Sequence, residues 1–185
     1  QKPESPFLGS GTGYGSFIGR SVDAYQLMVS AKENQIEKSL EVVLTENERV
    51  RRFGFLASEL EREKKDMLTM LEKMAKEADK TESSSYADEY TRNYLDKEPI
   101  PGIQKEFEIT REFLPGISLD EINKLGKELV TDDNIVALVT AQEKEGVNVP
   151  SESQVLDIIK SVKDMKIEAY AEKVSDEPIL SEQPT

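Results

Sequence analysis

The residue types that most often do chemistry are missing from this chain, and the candidates that remain are spaced for other work. It has no His and no Cys, which removes together the commonest general base, the commonest zinc ligand, thiolate nucleophiles and disulfides. Ser is plentiful, but without His a serine nucleophile needs a Lys, and Ser-x-x-Lys occurs nowhere. The 37 Asp and Glu residues guarantee close carboxylate pairs, as in the acid and nucleophile of a glycosidase. Yet Glu59, Glu61, Glu63 and Asp66 fall on what reads as the polar side of an amphipathic helix. Asp132-Asp133-Asn134 has calcium-loop composition without the alternating spacing or the turn glycine, and reads as a helix end leading into a strand. No residue is therefore assigned as catalytic, cofactor-binding or metal-binding, and none is named for substrate.

Three further patterns invite a binding reading. Glycines at 9, 11, 13, 15 and 19 match neither phosphate-loop spacing, and no helix follows directly to present amides to a phosphate. They are read as structural glycines of a strand, leaving one side bare for close approach of another backbone or a helix. Tyr86, Tyr90 and Tyr94 recur at steps of four, either as a peptide-binding face or as the core-facing stripe of a helix; the core is the expected reading. Arg49, Arg51 and Arg52 sit in the last turn of a helix, where cations suit its dipole, and are read as a solvated helix end.

These pieces have to be held by a single core. At 185 residues and 20.8 kDa the chain fits one domain. A formal charge of −13 opposes binding to polyanions, so nucleic acid is not expected as a partner. No apolar run approaches the ~20 residues a membrane span needs, and the first ten residues lack signal-peptide features; membrane insertion is not expected.

Alternation in Gly9 to Gly19 and Ala24 to Lys32 predicts two antiparallel strands joined at Arg20 to Asp23. The period then becomes helical. Ile36, Leu40, Val43, Leu44, Val50 and Phe53 share a face that ends at Gly54. A second helix is expected from a capping box at Ser58 and Glu61 to about Lys80, its face carrying Leu60, Met67, Leu68, Leu71, Met74, Ala75 and Ala78. Helical patches follow around the tyrosines and around Ile103, Phe107 and Leu114, separated by Lys97 to Gly102. Ser118 and Glu121 box the start of a helix running to Val130, with Ile117 and Ile122 as a staple, and Ser151 and Gln154 cap a last helix with Val155, Ile158, Ile159 and Val162 inward. Between them, Asn134 to Thr140 (NIVALVT) reads as a buried central strand. Val174 to Thr185 reads as a polar linker. The fold class expected is α+β, an antiparallel sheet with helices packed on one face. Three strands make a thin sheet, so further strands are expected upstream of Gln1.

This order of pieces resembles the non-catalytic second domain of the pitrilysin/insulinase family of zinc metallopeptidases, the inverzincins, with the fold of processing peptidases. The most specific stretch is a small-residue strand pair, then a helix ending in an R-x-x-G-F turn, Arg51 to Phe55, then S-E-L-E-R, Ser58 to Arg62. The segment from Tyr94 to Thr140 and the closing KVSDEPIL extend the resemblance over about Pro6 to Leu180. The resemblance implies that residues 1–175 are a non-catalytic domain and 176–185 a linker toward a following domain. It also implies that zinc is held by an upstream domain of the same parent chain, which is the expected partner, and that this segment helps enclose and orient peptide substrate in a periplasmic enzyme. The alternatives are an inactive processing-peptidase-like homologue and a helical interaction module.

Overall fold

The computed structural model describes residues 5–171, and within them the α+β class holds as a two-stranded antiparallel sheet and six α-helices. Strand β1 (Phe7–Ile18) turns at Gly19 into β2 (Val22–Ala31). The register sets Tyr14 opposite Tyr25, Thr12 opposite Leu27 and Ser10 opposite Val29. Residues facing each other across an antiparallel pair share a side of the sheet, so the glycines at 9, 11, 13 and 15 share the other side with Ser30, Met28, Gln26 and Ala24.

Helix α1 (Ile36–Phe53) is the centre of the molecule, contacting β2, α5 (Leu119–Leu129) and α6 (Glu152–Asp164). Its apolar stripe supplies Val43 to a small core that α6 completes with Val155 and Val162, and the following segment with Ile167. Two polar contacts seat the hairpin on α1. The Tyr25 hydroxyl donates to Asn47 Oδ1 at 2.7 Å, and the fully buried Ser39 hydroxyl donates to the Pro6 carbonyl at 3.0 Å. A second cluster forms where α2 (Ala57–Lys76) packs on α4 (Ile103–Phe113), burying Ala75 and Leu114. Gln104 Nε2 donates there to the Ala75 carbonyl at 2.6 Å.

Both late capping boxes form. The Glu121 N–H donates to Ser118 Oγ at 3.3 Å while Ser118 N–H donates to the Glu121 carboxylate at 2.8 Å, and Ser151 and Gln154 repeat the pattern. The box expected at Ser58 and Glu61 is displaced. Helix α2 starts two residues earlier, and it is Glu59 that accepts from the N–H of Leu56 at 2.8 Å. The reason is the sharp turn at Gly54, after which the chain re-enters helix at Ala57 and leaves Ser58 inside the first turn.

Three other expectations fail. Asn134 to Thr140 is neither a strand nor buried: Val136 is 88% and Leu138 85% exposed. A strand needs a neighbour's N–H and C=O groups, and among the described residues neither hairpin edge pairs with this run. The sheet thus has two strands rather than three. The tyrosine stripe lies on α3 (Ser83–Asp96) but not in a core, since Tyr86, Tyr90 and Tyr94 are all exposed. Finally, the three arginines of α1 are not merely solvated. The linker expectation and the closing KVSDEPIL stretch fall outside the described residues.

Candidate functional site

The arginine cluster shows what the end of α1 does. Glu48 is buried, and its carboxylate receives two hydrogen bonds from Arg51, both at 2.6 Å, and one from Arg52. Held in place by that carboxylate, Arg52 donates to the carbonyls of Lys163 and Met165 at 2.7 and 2.8 Å, and Arg49 donates to the carbonyl of Glu168 at 2.8 Å. The last carbonyls of a helix have no partner within it, so the arginines satisfy and electrostatically favour the end of α6. Asp132 adds a salt bridge to Lys163 at 2.9 Å. The Asp132-Asp133-Asn134 stretch is thus a tie between the exit of α5 and α6, with Asn134 in the left-handed conformation at φ 58°. Glu48 could have been recognised from its spacing, three and four residues before Arg51 and Arg52.

Among the described residues, the carboxylates whose ionisation is clearly shifted are shifted away from the range of a general acid. A general acid at neutral pH needs a raised pKa, whereas Glu48, Glu72, Glu108, Glu121 and Asp132 are all held below the ordinary carboxylate range. The leading causes are hydrogen bonds from Arg51, Lys76, Lys105, the Ser118 backbone and Lys163 respectively. Among the described residues the Tyr25 hydroxyl is pushed upward by burial, and Arg51 is pushed upward by its hydrogen bond to Glu48. Zinc does not fit this donor set: the chain offers no imidazole or thiolate, and among the described residues no three Asp or Glu side chains gather to hold an ion. The groove between α2 and α4, about 570 Å³, is open and lined by Lys64, Lys65, Glu72 and Arg111 around Phe107. Its charges pair locally, as in Lys76 with Glu72 and Lys64 with Glu61, and no polar groups converge on a point within it.

What stands out is apolar surface without a partner. Among the described residues three elements show it. Among the described residues no other helix or strand packs along α3, which has no buried residue and is tied to the hairpin turn by the ion pair of Asp96 with Arg20. Its stripe of Tyr86, Tyr90 and Tyr94 is continued by Leu95 and Ile100, also exposed. The run Asn134 to Thr140 shows Ile135, Val136 and Leu138 to solvent. The hairpin shows Tyr14, Phe17, Ile18 and Met28, and its four alternating glycines have open space where side chains would be. Exposed apolar residues gathered on single elements in this way are a feature of interaction surfaces. No described helix is long and apolar enough to cross a membrane.

Comparisons with known proteins point the same way. No protein-family model matches the chain. It is 30% identical over 138 residues to a zinc protease PQQL-like from Arabidopsis thaliana, an alignment covering 74% of this chain and 14% of that protein. Its structure is similar to the first half of the periplasmic protease PqqL from Escherichia coli, with a TM-score of 0.67 at 16% identity over 91% of this chain and 36% of the other. Against a second structure of that protease the TM-score is 0.71 at 15% identity, covering 96% of this chain and 20% of the other. The chain therefore spans only a minor part of the proteins it matches. Over that segment the chain is homologous to a PqqL-like zinc protease and shares the fold of part of PqqL.

Proposed function

We propose that this chain is a non-catalytic segment of a zinc-dependent peptidase, which packs against the zinc-bearing part of a longer chain and helps to enclose and orient peptide substrate. The observation that carries this reading is the run Asn134 to Thr140. It has the β-branched, continuously apolar composition of an internal strand, and it stands in the open with Val136 and Leu138 almost wholly exposed. A strand of that composition is stable only inside a sheet, and the rest of a larger peptidase chain would supply one. The exposed tyrosine stripe of α3 adds a second apolar face for the same neighbour. The lack of His and Cys supports placing the metal elsewhere in the parent, and the compartment proposed is the periplasm, where the Escherichia coli neighbours work.

The test is peptide cleavage by the parent protein, with and without a chelator, beside the same parent lacking Pro6 to Leu180. Chelator-sensitive cleavage that disappears with the deletion supports an essential supporting segment. Chelator-sensitive zinc-dependent cleavage by the 185-residue chain alone would sink the proposal, and an inert intact parent would favour the inactive homologue.

A further inference from the structure

Nothing among the described residues requires the alternating glycines of β1. Gly9, Gly11, Gly13 and Gly15 lie outside the left-handed region, and a β-carbon on any of them would meet nothing within 4 Å. Neither backbone geometry nor close packing demands them. They lie on a strand whose outer edge has no partner among the described residues, so a row of N–H and C=O groups is open to pairing.

We infer that this edge pairs with the same edge of a second copy of the chain, antiparallel, about a twofold axis passing through Gly13. The sequence from Leu8 to Ile18 is a near-palindrome about that residue. In this register Gly13 faces Gly13, Gly11 faces Gly15, Thr12 faces Tyr14 and Ser10 faces Ser16; the regular stretch ends there, because the register of β1 against β2 shifts at Leu8 and at Phe17. Antiparallel pairing requires both members of an opposed pair either to exchange hydrogen bonds or both not to. Backbone groups of alternate β1 residues point to the same edge, so a twofold centred on a residue satisfies that rule. Moving the axis to Thr12 sets Ser10 against Tyr14, and moving it to Tyr14 sets Thr12 against Ser16, so both alternatives lose the match of Ser10 with Ser16.

Charge selects the partner. A second copy also carries −13, and its acidic helix faces repel their like. From residue 5 to residue 19 there is no charged side chain, so two copies can meet along this strand without opposing charges of the same sign. None of the Lys, Pro or inward charges that proteins place on edge strands to prevent such pairing occurs from Phe7 to Ile18. The isologous contact that results is the commonest form of protein dimer. It does not depend on the peptidase reading.

The full 185-residue chain has no native Cys, so single cysteines report the register cleanly. Sedimentation over a concentration series reaching the millimolar range is expected to show a species of about twice 20.8 kDa. Gly13→Lys places two ammonium groups face to face across the axis and is expected to give only monomer, with an unchanged circular dichroism spectrum because its side chain has open space. Gly13→Cys is expected to form a disulfide-linked dimer under mild oxidation, since opposed Cα atoms about 4.5 to 5.5 Å apart lie within disulfide reach. Gly15→Cys, which faces Gly11 of the other copy, is expected not to. A wild-type chain that stays monomeric throughout the series, a dimer that survives Gly13→Lys, or cross-linking at Gly15→Cys in preference to Gly13→Cys overturns the inference. If Gly13→Lys fails to fold, the two cysteine variants decide it.

Discussion

The side-chain amide of Asn123 occupies the place where a β-carbon on Gly54 would stand, its atoms 2.5 to 2.7 Å from that position. Asn123 Oδ1 accepts from the N–H of the next residue, Phe55, at 2.7 Å, which pins the turn between α1 and α2 onto α5. Gly54 adopts φ 75° and ψ −171°, a region essentially reserved for glycine. Two requirements therefore converge on one position: backbone conformation and space for a neighbour's side chain.

Gly54→Ala is expected to destabilise the fold by about 3 kcal/mol, from backbone strain plus the clash. Asn123→Ala removes one acceptor and should cost about 1 kcal/mol. In the double variant the clash is gone but the strain persists, so the Gly54→Ala penalty should shrink without vanishing. Urea denaturation of the four proteins checks this, and additive costs would mean that the two residues do not compete for space.

The Glu48 cluster makes stability depend on acid. Hydrogen bonds from Arg51 hold the Glu48 carboxyl below its ordinary value of 4.5. A carboxyl whose folded pKa is depressed contributes stability that is present above the unfolded value and lost as pH falls through the folded one. Glu48→Gln should therefore cost about 2 kcal/mol at neutral pH, in the range for hydrogen bonds to charged groups. The gap between wild type and variant should narrow below pH 4.5. Thermal melts across that window test the sign; a gap that widens on acidification contradicts the assignment.

Exposed apolar residues should matter only in the parent. Tyr90→Ser and Leu138→Asp alter side chains that touch little, so each should change the stability of the isolated chain by no more than about 0.5 kcal/mol. In the parent peptidase the same substitutions should lower cleavage at least roughly tenfold, equivalent to about 1.4 kcal/mol of lost association. Equal, small effects in both settings would show that these faces are not covered.

Zinc titrated calorimetrically into the 185-residue chain should show no saturable site, because the donors for a tetrahedral centre are lacking. Saturable binding with one ion per chain would place a metal centre in this segment.

Much of this protein was legible in order along the chain because the signals are local. The hairpin, the R-x-x-G-F turn and the Ser118 and Ser151 boxes depend on residues within a few positions of one another, and alternation, glycine and capping hydrogen bonds act over that range. The lack of His and Cys, which narrows the chemistry open to these residues, is read from composition alone. Periodicity, however, records only that a face is apolar, not what covers it. Tyr86, Tyr90 and Tyr94 have the spacing of a core stripe, and NIVALVT the composition of a central strand, yet both stand in solvent because no helix or strand among the described residues packs over them. Likewise, the run of Arg49, Arg51 and Arg52 announced a helix end, but only the approach of α6 turned it into a clamp on the Lys163, Met165 and Glu168 carbonyls. Whether a residue is buried depends on contacts between positions tens to more than a hundred residues apart, and those are decided by tertiary packing.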